Sequence, residues 1–181
     1  DILLAMAPFG GEISVNTELQ ALYISSESVH SSWVVAGFDT ESEQRATQRW
    51  KIPAEQIQID SYYKLNELLS EREFGSAVFF DKLSNAKNIL YIGGLATNEL
   101  KNIYKSHLES ALPNGVTVEV KKSGKYAGKD TEDVVNSVSE KQSRGIHLYQ
   151  SENLLKNQWE TIAQAVLDAH TATTVWGQSE T

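Results

Sequence analysis

Residues 88 to 122 restrict the fold of this chain more than any other segment. They contain an apolar run (89–92), a Gly-Gly break (93–94), a helical stretch that ends near Leu112, and an alternating apolar run (116–120). The connections between these pieces are short. A strand, a crossover helix and a second strand joined in this way form a parallel βαβ unit.

The two strands of this unit also predict where a ligand would bind. In open α/β sheets, ligands bind beyond the carboxyl ends of the parallel strands. Those ends are the loops formed by residues 93–98 and 121–124. We therefore expect part of any small-molecule site to lie in these two loops.

The remaining sequence alternates between strand and helix patterns in the same manner. Apolar or alternating runs predict strands at 2–7, 33–38, 57–59, 76–80 and 146–149, and helical spacing predicts helices at 13–22, 40–51, 61–69, 131–138 and 152–170. This pattern predicts an α/β fold with a Rossmann-like, doubly wound and mostly parallel sheet. We expect a single domain over residues 1–170, followed by a C-terminal tail at 171–181.

One region leaves two alternatives open. Only residues 81–87 separate the strand predicted at 76–80 from the strand at 89–92. That gap is too short for an ordinary crossover helix. Either the two strands form a hairpin, or one of them does not belong to the sheet.

Composition and charge limit the classes of partner. The chain has 181 residues, and 16 Lys and Arg against 24 Asp and Glu give a formal net charge of −8. An acidic chain of this kind argues against nucleic acid or an anionic membrane as the main partner, because phosphate binding needs a basic surface. A small-molecule ligand, a partner protein and a homo-oligomer remain as alternatives.

The sequence says less about metals and location. It has no cysteine, and its four histidines are dispersed without metal-ligand spacing, so it predicts no metal site. No apolar run is long enough for a membrane span. The chain opens on Asp1 rather than Met, so we expect processing or trimming, and the cytoplasm is only a default location.

Several short motifs occur in an order that resembles a known family. They are Gly10-Gly11 after the first strand, Asp39 after the second, Arg45-Ala46, Ile52-Pro53, the segment Ala96-Thr97-Asn98 before a helix, and Lys121-Lys122 after the strand at 116–120. This order resembles the nucleotide-binding domain of the Gfo/Idh/MocA oxidoreductases. The resemblance implies a nicotinamide cofactor, NAD(P), and a Rossmann domain.

The resemblance assigns roles to particular residues. It implies that Gly10 and Gly11 approach the phosphates, that Asp39 accepts both ribose hydroxyls, and that Lys122 lies at the transferred hydride. Each role has a simpler alternative: a tight turn for the glycines, a charge at a helix N-terminus for Asp39, and a solvated basic loop (Lys121, Lys122, Lys125 and Lys129) for Lys122.

Thr97 and Asn98 are the remaining cofactor candidates. They would hydrogen-bond the ribose or the ring, or they would cap the following helix. These motifs support two hypotheses for function. The first is a nicotinamide-dependent oxidoreductase domain or a reduced relative of one. The second, favoured by the degenerate glycine turn, is a non-catalytic Rossmann-like module that acts in interaction or regulation without a cofactor.

Overall fold

A computed structural model describes residues 2–84, 86–139 and 143–176. Within these residues the strands are β1 (Leu3–Gly11), β2 (Ser31–Gly37), β3 (Ser76–Leu83), β4 (Ile89–Gly93), β5 (Thr117–Val120) and β6 (Gly145–Ser151). The helices are α1 (Thr17–Ser26), α2 (Glu43–Trp50), α3 (Tyr63–Glu71), α4 (Asn98–Ala111), α5 (Val134–Ser137), α6 (Glu152–Asn157) and α7 (Trp159–Trp176). Short 3-10 turns occupy Ala54–Gln56 and Ile59–Ser61.

The six strands form one sheet in the order β2-β1-β3-β6-β4-β5. All neighbouring pairs are parallel except β4 and β6, which are antiparallel. The prediction of an α/β domain with a mostly parallel sheet is therefore confirmed. The strand order differs from the 3-2-1-4-5-6 order of the dinucleotide-binding Rossmann fold.

The segment at residues 88 to 122 folds as predicted. Strand β4 pairs in parallel with β5, with Ile89 opposite Thr117, and α4 makes the crossover. Thr97 is the N-cap of α4, and its hydroxyl oxygen accepts a hydrogen bond from the Leu100 N–H at 3.3 Å.

Neither alternative for the region around residues 81–87 is correct. Strands β3 and β4 both belong to the sheet, yet they do not pair with each other. Strand β6 inserts between them, parallel to β3 and antiparallel to β4. A short connection can join them because β4 returns in the opposite direction and needs no crossover helix.

Both faces of the sheet are buried, as expected for strands in a mostly parallel sheet. Alternate residues of each strand enter one of two cores. One core contains Leu3, Ala5, Val78, Phe80, Leu90, Ile92, Ile146 and Leu148 and packs against α1, α4, α6 and α7. The other contains Leu4, Met6, Phe9, Ala77 and Phe79 and packs against α2, α3 and α5. The polar cluster described below lies on this second face.

Some element boundaries differ from the sequence predictions. Strand β1 continues through the Gly10-Gly11 pair that was predicted as a turn, and α1 begins only at Thr17. Ser42, rather than Thr40, caps α2. Helix α7 extends to Trp176, so the first part of the predicted tail is helical, while residues 177–181 lie outside the described residues. No helix in the described ranges has the length and apolar content needed to cross a membrane.

Candidate ligand-binding cleft

Two neighbouring strands place a polar and aromatic cluster on the second face of the sheet. Phe79 and Asp81 of β3 lie opposite His147 and Tyr149 of β6, respectively. Side chains two residues apart on a strand point to the same face. The two strands therefore bring these four side chains together, although the sequence separates them widely.

His147 lies between two carboxylates. Its Nδ1 atom is 2.9 Å from Asp133 Oδ2, and its Nε2 atom is 3.3 Å from Asp81 Oδ2. Lys51 donates a hydrogen bond from Nζ to Asp81 Oδ1 at 2.6 Å. His147, Asp81 and Asp133 are all buried. Two positive and two negative groups thus satisfy one another, as buried charges require.

The two carboxylates determine the charge of His147. Burial lowers the pKa of the imidazole, but Asp133 and Asp81 outweigh burial and raise the pKa to about 9. For Asp81, burial raises the pKa, but Lys51 and His147 outweigh it and lower the pKa to about 2. At neutral pH, His147 is therefore an imidazolium that donates both N–H groups, with no lone pair left to accept a proton.

This arrangement predicts a loss of stability at alkaline pH. The pKa of His147 is raised above its unfolded value of about 6.5, so its contribution is complete below that pH and is lost as the pH rises through 9. We expect the free energy of unfolding to fall by about 3 kcal/mol between pH 6.5 and 9. Chemical denaturation across this range measures the change. The His147→Phe variant should lack it, and an equal slope in that variant would contradict the assignment.

Aromatic rings continue the cluster on both sides of His147. The imidazole stacks between Phe79 and Tyr149, with centroid distances of 4.1 and 3.9 Å. Phe9 contacts Phe79 on one side, and Tyr126 contacts Tyr149 on the other. Lys51 and Lys125 lie over the Phe9 and Tyr126 rings, respectively. The second face of the sheet therefore carries a continuous row of rings.

The loop after β5 covers part of this row and is held by backbone hydrogen bonds. Gly94 donates its N–H to the Ala127 carbonyl at 2.9 Å. The buried Asn136 side chain accepts from the Leu95 N–H and donates to the carbonyls of Gly128 and Asp130. Asn136 thus ties the loop to the segment that follows β4, and this fixes one wall of a cleft.

The cleft has a volume of about 310 Å³. Its floor and walls include Phe9, Lys51, Glu55, Asp81, Lys125, Lys129, Asp130, Asp133, His147 and Tyr149. Titratable groups with strongly shifted pKa values in a cleft are typical of functional sites. A larger groove of about 630 Å³ lies between α2 and the loop after β3. It lacks such a cluster, and its Lys82 and Glu152 pair with each other at 3.7 Å.

The glycines predicted to bind phosphate have another partner. The Gly11 N–H donates to Glu18 Oε2 at 2.9 Å. The backbone donor that a phosphate would need is therefore already hydrogen-bonded to a carboxylate. Asp39 is buried and pairs with Arg49 at 3.0 Å, and its other oxygen accepts from the Glu41 N–H. Asp39 lies three residues before Ser42, the N-cap of α2, and both roles considered for Asp39 stay predictions.

The other predicted residues lie at the opposite edge of the sheet. Because β4 is antiparallel to β6, the carboxyl ends of β4 and β5 are far from those of β1 and β2. Thr97, Asn98 and Lys122 are exposed at that edge. The structure therefore does not bring them together with Gly10, Gly11 and Asp39.

Sequence reasoning missed most of the cleft. Lys51, Asp81 and Asp133 were not candidates, and His147 was considered only as a dispersed histidine. One signal was available, since Asp81 directly follows the apolar run 77–80 and His147 lies between Ile146 and Leu148. Among the described residues, no group of three or more His, Asp or Glu side chains is arranged to hold a metal ion.

Comparisons with known proteins identify the fold. No protein-family model matches the sequence, and no curated protein is similar enough to count as a relative. Among solved structures, a bacteriophage poly-gamma-glutamate hydrolase matches with a TM-score of 0.77 and 18% identity over 97% of this chain and 86% of that chain. A putative carboxypeptidase A from Shewanella denitrificans matches with a TM-score of 0.54 and 12% identity, over 93% of this chain but only 56% of its own length. At these identities the likeness establishes a shared fold.

These matches overturn the family resemblance drawn from the sequence. The similar structures described above are a hydrolase and a putative carboxypeptidase, not Gfo/Idh/MocA oxidoreductases. The predicted function, a nicotinamide-dependent oxidoreductase domain or a reduced relative of one, is therefore wrong. The short motifs misled because their order reflects alternating strands and helices, which many α/β folds have in common.

Proposed function

We propose that the cleft binds an acidic, amide-linked chain, such as a γ-glutamyl polymer or an acidic peptide. The observation that carries this proposal is the distribution of charge. Residues 121–129 contain four lysines and no acidic residue, in a chain with a net charge of −8. Lys125 and Lys129 from this segment line the cleft. Glu55 and Asp130 also line the cleft, whereas Asp81 and Asp133 are paired with Lys51 and His147. Lys125 and Lys129 are the lysines that would attract the carboxylates of an anionic ligand.

The row of rings supports a polymer rather than a free ion. Tyr149 and Phe9 line the cleft, and Tyr126 and Tyr91 extend the row towards β5. Amide planes and methylene groups of a peptide-like chain pack well against aromatic faces, while its carboxylates would meet the lysines. A ligand with both features fits the cleft better than a simple anion.

The fold gives independent support. The similar bacteriophage protein is a hydrolase of poly-gamma-glutamate, which is an acidic, amide-linked polymer. The cleft of the present chain carries lysines and aromatic rings that would contact the carboxylates and the amide planes of such a polymer.

Cleavage of the bound chain is a second candidate function, favoured by this likeness to hydrolases. The local chemistry favours binding, because His147 donates both N–H groups to carboxylates and Asp81 already accepts from Lys51 and His147. A general base must reach the proton that it removes. Neither side chain has that freedom in the arrangement described here.

Calorimetric titration with a short γ-glutamate oligomer tests the proposal. We expect a dissociation constant in the micromolar range at low salt, with affinity falling as salt is raised, because the attraction is partly electrostatic. The same oligomer with its side-chain carboxylates amidated is the matched control and should bind at least about tenfold more weakly. Absence of binding would refute the proposal. An increase in free amino groups during incubation would establish cleavage.

A further inference from the structure

The groove between α2 and the loop after β3 adjoins the cleft, and the two cavities share their walls. On the helix side, Lys51 lines the cleft, and Gln48, almost one turn earlier, lines the groove. On the strand side, Asp81 lines the cleft, and Lys82 and Leu83, which follow it directly, line the groove. Both walls of the cleft therefore continue into walls of the groove.

The ion pair of Lys51 and Asp81 lies where the two cavities meet. Lys51 Nζ donates to Asp81 Oδ1 at 2.6 Å and to the Lys82 carbonyl at 3.4 Å, which ties the end of α2 to β3. A helix rises by about 1.5 Å per residue, so Gln44, which also lines the groove, lies about 10 Å from Lys51 along the helix axis. An extended amide-linked chain spans about 3.4 Å per residue. About three further residues would therefore extend from the cleft to the far end of the groove.

Two glutamine side chains line the groove without a hydrogen-bond partner among the described residues. Gln44 and Gln48 are exposed and lie one turn apart on the same face of α2. A carboxamide both donates and accepts hydrogen bonds, so it can pair with the N–H and with the C=O of an amide. This wall of the groove therefore offers the groups that an amide-linked chain needs.

The ionised side chains beside the groove leave one positive charge in excess. Lys82 and Lys156 pair with the same carboxylate, Glu152, at 3.7 and 2.7 Å. Hydrogen bonds and charge attraction from the two lysines lower the pKa of Glu152, so it is ionised at neutral pH and balances one of them. At the start of α2, Glu41 is paired with Arg45. A carboxylate of a bound chain would therefore be attracted to Lys82.

We propose that this groove is a second subsite, which binds the residues of an acidic, amide-linked chain that extend beyond the cleft. The inference rests on the proposed function of the cleft. Gln44 and Gln48 hydrogen-bond the amides of the chain, and Lys82 pairs with one of its carboxylates. A chain that fills both cavities joins two sets of contacts in one ligand, so affinity rises with chain length.

Calorimetric titration of the full chain with a trimer and an octamer of γ-glutamate tests the second subsite. We expect the octamer to bind at least about tenfold more tightly, because only the octamer is long enough to fill both cavities. Gln44→Glu/Gln48→Glu should abolish this advantage by repelling carboxylates, while the affinity for the trimer changes less than about twofold. Asn102→Asp/Ser106→Asp is the matched control. It adds the same charge at the same spacing to the exposed side of α4, which packs on the other face of the sheet, and should leave both affinities unchanged.

The side-chain amide signals of Gln44 and Gln48 in NMR spectra measure the contact directly. They should shift with the octamer and not with the trimer. If the trimer binds but the octamer binds no more tightly, or if the octamer leaves both signals in place, the second subsite is refuted while binding in the cleft stands. Equal weakening of octamer binding by the α2 and α4 variants would refute it too. If neither oligomer binds, the proposed function fails, and the second subsite fails with it.

Discussion

Replacing Asp133 with alanine is expected to destabilise the protein by about 3 to 5 kcal/mol. Asp133 Oδ2 is 2.9 Å from His147 Nδ1, and both side chains are buried. Without this carboxylate, the imidazolium keeps only Asp81 as a partner, and Asp81 also accepts from Lys51. Removing one partner of a buried ion pair leaves a charge that water cannot reach. Denaturant unfolding at neutral pH measures the loss.

Asp39 provides a matched control for this experiment. In each of the two aspartates, one carboxylate oxygen accepts a hydrogen bond from the backbone N–H two residues later in the chain. The other oxygen pairs with a cationic side chain. The cation beside Asp39 is Arg49, which is more than half exposed. Asp39→Ala should therefore cost only about 1 to 2 kcal/mol. An equal loss of stability in the two variants would contradict a larger contribution from the ion pair with the buried histidine.

A double-mutant cycle separates the ion pair from the packing. Phenylalanine at position 147 keeps an aromatic ring between Phe79 and Tyr149. We expect Asp133→Ala to cost much less in the His147→Phe background, because no buried charge then loses its partner.

Replacing Gly94 with alanine is the second change with a large expected effect, about 3 to 4 kcal/mol. Gly94 has a φ of +96°, and a Cβ at this position would overlap the carbonyl oxygen of Gly145. Its N–H donates to Ala127, and its carbonyl accepts from the buried Lys101. The change would therefore strain the backbone and displace the loop that covers the cleft.

Gly115 separates the two causes. Its φ of +94° is nearly the same, but nothing lies within 4 Å of a Cβ placed there. Gly115→Ala should cost only the backbone term, about 1 to 2 kcal/mol. The difference between the two variants in thermal or denaturant unfolding measures the steric term at Gly94. A cost at Gly115 as large as that at Gly94 would contradict this explanation.

Local patterns predicted the secondary structure of this chain better than its sheet. The βαβ unit of β4, α4 and β5 was predictable because its signals, apolar runs and the Thr97 cap, lie within 35 residues of one another. The direction of β4 relative to β6 was not predictable. Alternation of apolar residues identifies a strand, but it carries no information about which strand lies beside it. The insertion of β6 between β3 and β4 depends on pairing over more than 50 residues.

The cleft could not be predicted from the sequence for the same reason. Asp81 and His147 are 66 residues apart and meet only because β3 and β6 pair. The glycine motif, in contrast, is visible in the sequence but forms the irregular end of β1, where Gly11 has a φ of +69° and its N–H donates to Glu18. A sequence therefore reveals motifs formed by neighbouring residues but not a cluster formed by residues that only strand pairing brings together.

The most direct test of the proposed function compares two pairs of lysines. Lys125 and Lys129 line the cleft, whereas Lys64 and Lys105 lie on α3 and α4, where each pairs with a glutamate of its own helix. We predict that Lys125→Gln/Lys129→Gln weakens binding of the γ-glutamate oligomer at least about tenfold, while Lys64→Gln/Lys105→Gln changes it less than about twofold. The net charge changes equally in both variants. Equal weakening by the two variants would show that the oligomer responds only to overall charge, and it would contradict binding in the cleft.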